Sequence, residues 1–182
     1  GIVGFYCEFT PRDLILAAGA TPICLCGTSQ NTITHAETVL PSNLCPLIKS
    51  SYGYALTGGC PLLNDSDLLV AETTCDGKKK MYEVLSRDKN MHVLELTQKS
   101  DKERAFRHWL AEVEELKQKL EQTFQTDITE EKLRTAIKVM NEERRLILAI
   151  QELGQHRPAI VSGYEIAQTR YRVAGFSKHL EQ

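Results

Sequence analysis

The stretch that most constrains the fold is Asp67–Met81, DLLVAETTCDGKKKM. Leu68, Leu69, Val70 and Ala71 run apolar without the alternation of a half-exposed strand, which suits a strand covered on both faces. Asp76 is placed to cap a helix over 77–86, with Tyr82 and Leu85 on its inner side. Cys75 then falls in a strand-to-helix turn, at the carboxyl end of a parallel strand. Open α/β sheets bind ligands at that edge.

The same grammar recurs before and after it. Residues 2–6, IVGFY, read as a strand, and Cys7 follows directly. Thr10-Pro11-Arg12-Asp13 is a helix start, with Thr10 as cap, Pro11 in the first turn and Asp13 at the positive dipole end. Leu14, Ile15 and Ala18 give its buried face and Gly19 its stop. Residues 22–26, PICLC, form a second strand, so the first segment is a βαβ unit with a right-handed crossover. Short helices are predicted over 34–40 and 46–56, the second with Pro46 at its start. Gly58-Gly59-Cys60-Pro61 makes a tight turn, and residues 92–96 a fourth strand.

Beyond residue 98 the composition changes. Ser100-Asp101-Lys102-Glu103 has the pattern of a capping box, opening a charged helix to Phe124. Phe106, Leu110, Val113, Leu116 and Leu120 follow three-and-four spacing there, and Trp109 fits the same stripe. Asp127 to Thr129 caps a helix over 130–153, with Leu133, Ile137, Met140, Ile147 and Leu148 on one side. A last helix runs from Gly163 to Ala174, after Pro158 interrupts the pattern. We therefore expect an α/β lobe with a parallel sheet, Rossmann-like or flavodoxin-like, over 1–98, and a helical segment over 99–182. The helix pair is open to two readings: a hairpin packed on the sheet, or a bridge to a second lobe. Gly1-Ile2-Val3-Gly4 lacks Met and the basic flank of a signal peptide, so the expectation is a fragment.

With 24 acidic and 22 basic residues, the chain has no global field that argues for nucleic acid. Its apolar runs are far shorter than the roughly 20 residues of a membrane span. Chemistry is carried by six cysteines, Cys7, Cys24, Cys26, Cys45, Cys60 and Cys75, all in the first 75 residues. Without a secretion signal, clustered cysteines favour metal or redox chemistry over disulfides. Cys7 and Cys75 sit in strand-to-helix turns, and Cys45 and Cys60 each stand just before a proline that begins a helix or turn. Helix amino termini favour thiolates, and thiolates select zinc, cuprous copper or iron–sulfur clusters. Cys24, inside a strand, reads as core. Cys26 shares that strand face and is open between core and ligand. The helical stretch after residue 100 has no cysteine, and no C-x-x-C pair marks zinc.

The segments GFYCEFTPRDLILAAGATPICLCG, NLCPLIKSSYGYALTGGCP and DLLVAETTCDGKKKMYEVL resemble the 2-hydroxyacyl-CoA dehydratase family, of the 2-hydroxyglutaryl-CoA dehydratase D-component type, and its relatives the double-cubane cluster proteins. The resemblance covers most of residues 1–175. It implies a [4Fe-4S] cluster on Cys7, Cys45 and Cys75. It also implies an ATP-dependent activator that donates one electron, a ketyl radical intermediate, and loss of water from an (R)-2-hydroxyacyl-CoA to give the enoyl-CoA. A second dehydratase subunit or a homodimer, a cytoplasmic and anaerobic setting, and a second lobe in a longer chain belong to the same implication. Cys60 and Lys49-Ser50-Ser51 resemble the double-cubane branch more closely. That branch carries further cysteine ligands and reduces small molecules, and Cys60 is its candidate ligand.

Two other classes stand beside this reading: a non-catalytic α/β assembly domain, and a structural zinc site on the same thiolates. Lys78-Lys79-Lys80 is expected to be a solvated face; its functional reading is offset of cluster charge, or docking of an acidic donor or CoA phosphates. Glu8 is expected to face water, and Ser50 and Ser51 to lie on a helix surface. The five histidines do not group at metal spacing, and Gly58-Gly59 does not form a phosphate loop.

Overall fold

The computed structural model describes residues 1–99 and 101–173. In chain order the elements are β1 (Ile2–Tyr6), α1 (Arg12–Ala17), β2 (Thr21–Cys24), a 3-10 turn (Gln30–Thr32) leading into α2 (Ile33–Ala36), α3 (Pro46–Thr57), α4 (Pro61–Asn64), β3 (Leu68–Glu72), α5 (Asp76–Leu85), β4 (Met91–Leu94), α6 (Lys102–Phe124), α7 (Glu130–Leu153) and α8 (Gly163–Val173). The four strands pair in parallel in the order β2-β1-β3-β4. This is an α/β fold with the flavodoxin-like order 2-1-3-4, followed by long helices.

Both faces of the sheet are covered, which explains the unbroken apolar run in β3. Val3, Phe5, Leu68 and Val70 point to one core with Leu14 and Ile15 of α1 and Leu116 and Leu120 of α6. Leu69, Ala71, Tyr6 and Ile23 point to the other, with Ile48 and Tyr52 of α3 and Met81 and Tyr82 of α5. The connection after β1 runs over the first face to β2, while the connection after β3 runs over the second to β4. The chain thus diverges in opposite directions from two adjacent strands. That divergence opens a crevice at the carboxyl ends of β1 and β3.

The long helices join the first core, with α7 lying against α1 and α6 reaching β4 and α1. Their inner faces differ from the predicted stripes. On α6, Trp109, Val113, Leu116 and Leu120 turn inward, whereas Phe106 is 65% exposed and Leu110 43%. The first turns of α6 extend past the end of β4 and are tied there by polar bonds instead. The Glu95 amide donates to Glu112 Oε2 at 2.8 Å, and His108 Nε2 lies 3.0 Å from the Glu95 carbonyl. On α7 the inner residues are Ala136, Met140 and Glu143, while Ile137 and Leu148 face outward. A buried ion pair sets this rotation: Arg12 of α1 reaches Glu143 at 2.8 Å, and Arg144 reaches Asp13 at 3.4 Å. Glu143 is only 4% exposed, and a search for apolar periodicity passes over it.

Local boundaries also shift by a residue. Pro11, not Thr10, precedes α1; Cys75, not Asp76, precedes α5; and Asp101 caps α6 by accepting from the Arg104 amide at 3.1 Å. Ser100 and Ala174 lie outside the described residues. The predicted helix over 34–40 is the shorter α2, and the strands at 22–26 and 92–96 end sooner, at Cys24 and Leu94. No helix among the described residues is long and apolar enough to cross a membrane.

The Arg12–Glu143 pair generates a stability prediction. Arg12→Met strands a buried carboxylate and should cost about 3 kcal/mol, whereas Arg12→Met with Glu143→Met should recover most of it. Urea unfolding followed by Trp109 fluorescence measures the cycle. A single-variant loss under about 1 kcal/mol would show that the pair does not hold α7 on α1.

Candidate functional site

The crevice between β1 and β3 begins with Cys7. Its backbone takes φ 84, a left-handed conformation that a side chain other than glycine rarely adopts. The turn aims the sulfur at the β3–α5 connection, where it lies 3.5 Å from Thr74 Oγ1. From the first turn of α5, Lys78 Nζ donates to the same sulfur. Burial works against the lysine's charge, but that contact and the nearby Cys26 and Cys75 outweigh it, so the ammonium holds its proton more tightly than usual. Lys79 and Lys80 behave as a solvated face, pairing with Asp76 at 3.4 Å and Glu83 at 2.7 Å.

Cys75 and Cys45 are both exposed and occupy the position just before α5 and α3, with no side-chain capping bond at either. The two helix starts are packed together. A Cβ on Gly77 would stand 2.7 Å from Ile48 Cδ1 and 3.0 Å from Leu44 Cδ1, so a larger residue there would make these side chains shift. Cys7, Cys45 and Cys75 therefore share the carboxyl edge of the sheet, with two uncapped helix amino termini beside them.

Cys26 enters the same region, close enough to the Cys7 backbone and to Lys78 for both to favour its thiolate. It does not share a face with Cys24, since β2 ends at Cys24. Cys24 packs against the first core and Cys26 against the second. The Cys26 thiol still leans on the Cys24 sulfur, which eases the first deprotonation of the pair toward Cys24. Cys60 precedes α4 and lines, with Cys24 and Cys26, a separate hollow of about 300 Å³. The six cysteines thus form two adjoining groups.

Ser50 and Ser51 are buried, not on the helix surface. Ser51 Oγ accepts from the Gly27 amide at 2.9 Å and donates to the Leu47 carbonyl at 2.8 Å. Ser50 Oγ donates to the Ser29 carbonyl at 2.6 Å. Both hydroxyls are committed to anchoring the loop after Cys26 onto α3. Lys49 is buried as well, held by Glu37 and the Ser42 carbonyl, each at 2.6 Å. Glu8 is exposed, as expected.

Sequence reasoning missed a buried acid at this edge. Glu72, the last residue of β3, is fully buried; Oε1 accepts from Thr10 Oγ1, and Oε2 has no partner among the described residues. Burial pushes its carboxyl up to about 6, against the pull of Thr10 and Lys78. The hydroxyls of Tyr6 and Tyr82 are also buried without partners, and burial raises both. The signal available in the sequence was a charged residue closing an otherwise apolar strand, LLVAE.

Comparison with known proteins bears on this edge. The profile described as "2-hydroxyglutaryl-CoA dehydratase, D-component" matches residues 7–180, starting at Cys7. The chain belongs to this family. It is 50% identical over 142 residues (77% of the chain) to the Escherichia coli (strain K12) protein named "Putative dehydratase subunit YjiM". It is 24% identical over 145 residues (78% of the chain) to the C subunit of the benzoyl-CoA reductase of Thauera aromatica. The chain spans 37% of the length of each of these relatives.

For a D-component chain, other features of the surface weigh less than the cysteine edge. A hollow of about 800 Å³ lies between the end of α1 and α7, at the amino-terminal end of the sheet, and is lined by no cysteine or histidine. Glu95, His108 and Glu112 bring ligand atoms within 4.8 Å of one another, but their hydrogen bonds tie α6 to the end of β4. Among the described residues no three cysteine sulfurs stand that close.

Glu72 yields a pH prediction for the metal-free protein. A folded-state value raised from 4.5 to about 6 makes its contribution most favourable below pH 4.5, and that contribution is lost as pH rises through 6. Glu72→Gln should remove this loss, gaining about 1–2 kcal/mol on wild type between pH 5 and 8. Thermal unfolding across that range measures the difference. Parallel pH profiles for the two proteins would show that Glu72 is not held against ionisation.

Proposed function

We propose that the protein is the iron–sulfur component of a 2-hydroxyacyl-CoA dehydratase-type enzyme, with Cys7, Cys45 and Cys75 each giving a thiolate to a [4Fe-4S] cluster. The observation that carries this reading is the placement of these three cysteines at one switch-point crevice in a D-component family chain. The donor set suits such a group: three free thiols, two of them exposed, beside helix termini and an ammonium that favour anionic sulfur. When bound, the cluster supplies one-electron chemistry and an open iron for a thioester carbonyl.

The chain's own residues prepare that edge. The turn at Cys7 sets its sulfur beside Thr74 and Lys78. Leu44, Ile48 and Gly77 hold the Cys45 and Cys75 turns together. Ser50 and Ser51 keep the loop after Cys26 against α3. The reaction proposed is loss of water from an (R)-2-hydroxyacyl-CoA to the enoyl-CoA, after one electron from an ATP-dependent activator protein. A second dehydratase subunit or a second copy completes the enzyme, in an anaerobic cytoplasm.

A second reading, a double-cubane reductase of small molecules, is favoured by one observation. Cys60 lies with Cys24 and Cys26 around a hollow of its own, next to Cys7. Cys60 is then a ligand of the second cubane.

Iron and acid-labile sulfide, measured on the anaerobically purified full-length protein, test both. About four irons per chain supports the dehydratase, and about eight the double cubane. Single alanine variants of Cys7, Cys45 and Cys75 should each lose most of the iron. Full retention in all three would remove the site assignment.

A further inference from the structure

Of the three consecutive lysines, one is out of place. Cations in the first turn of a helix oppose its dipole, and Lys79 and Lys80 offset this by pairing with Asp76 and Glu83 in solvent. Lys78 has no such acid partner among the described residues. It turns inward, is partly buried, and spends its ammonium on the sulfur of Cys7. Burying a lysine at the positive end of a helix costs stability twice, through desolvation and through the dipole. A thiol that only packed would repay neither cost. An anionic sulfur repays both.

The backbone points the same way. Cys7 holds φ 84, which a cysteine keeps only when its surroundings fix it. Among the described residues, the side chains that bond its sulfur are Lys78 and Thr74, from the first turn of α5 and the β3–α5 connection that also carries Cys75. Lys78 thus ties the Cys7 turn to the Cys75 turn across the crevice.

We propose that Lys78 is a positioning residue for the iron–sulfur centre, fixing the Cys7 thiolate and compensating negative charge, so that the reduced centre is favoured. The inference rests on the cluster reading above. An added electron makes the centre more negative, and a fixed ammonium at one of its thiolates stabilises that state over the oxidised one. Thr74 orients the sulfur without adding charge.

The experiment is a redox titration of the anaerobic full-length protein with a low-potential one-electron reductant, read by the electron-spin-resonance signal of the reduced centre, with iron counted in every sample. Lys78→Met should lower the ratio of reduced to oxidised centre about tenfold at fixed potential, a shift of about 59 mV to more negative values for one electron. Lys78→Arg, which keeps a cation at the same place, should return most of the shift. Lys79→Met should leave the potential unchanged. If Lys78→Met loses its iron, retention in Lys78→Arg still supports the proposal, and loss in both overturns it. Full iron with an unshifted potential in Lys78→Met overturns the role of Lys78 and leaves the cluster intact. An equal shift in Lys79→Met overturns the specific contact. A wild-type protein without iron sinks the cluster reading and this inference together.

Discussion

The parallel pairing of β1 with β3 is the constraint on which the site depends. Val3 to Tyr6 lie beside Leu68 to Ala71, and both strands send apolar side chains to both faces. A pair buried on both sides needs helices above and below. The chain supplies them by leaving β1 over one face and β3 over the other. The two turns that begin these crossovers cannot follow each other, so a crevice opens between them. Cys7 and Cys75 stand on its two walls, and α3 brings Cys45 to the same place by packing its start on Gly77.

Three thiols at one edge raise an electrostatic problem, since ionising them together is opposed by mutual repulsion. The fold answers with positive ends of α3 and α5 and with the Lys78 ammonium. Of the buried carboxyls, Glu143 is paired with Arg12. Glu72 is buried with one oxygen unpartnered, and burial holds it toward the neutral form. The helix ends and the ammonium favour anionic sulfur at this edge, and the acid behind it is neutral below about pH 6 and charged above it.

The sheet, its parallel sense and the cysteine turns were legible in the sequence, because they follow from signals a few residues long: apolar runs, Pro46 after Cys45, and helix patterns after Cys7 and Cys75. What escaped depends on partners far away in the chain. Glu72 is buried by Thr10, 62 residues earlier. Lys78 turns inward because Cys7 lies 71 residues before it. Ser50 and Ser51 are covered by the 27–32 loop. The inner face of α7 was misjudged for a related reason: Glu143, paired with Arg12, occupies a position that hydrophobic periodicity assigns to an apolar side chain.

The helix starts separate the part of the chain built for stability from the part built for the site. α6 and α7 begin with Asp101 and Thr129, whose side chains accept from amides of the first turn. α3, α4 and α5 begin with Cys45, Cys60 and Cys75, and none of these makes a capping bond. Replacing a good cap by a poor one costs about 1 kcal/mol; α1 and α2, which start after Pro11 and Thr32, also lack a side-chain cap, so all five helices of the α/β lobe forgo this stabilisation while the long helices take it. Asp76, the natural cap by sequence, sits one position late, with its carboxylate in solvent. Its displacement leaves the start of α5 to a sulfur. Local rules of this kind are broken where a second requirement overrides stability. Here three of the five uncapped starts hold a cysteine, and a chain using cysteines only as small apolar residues has no reason to place them there.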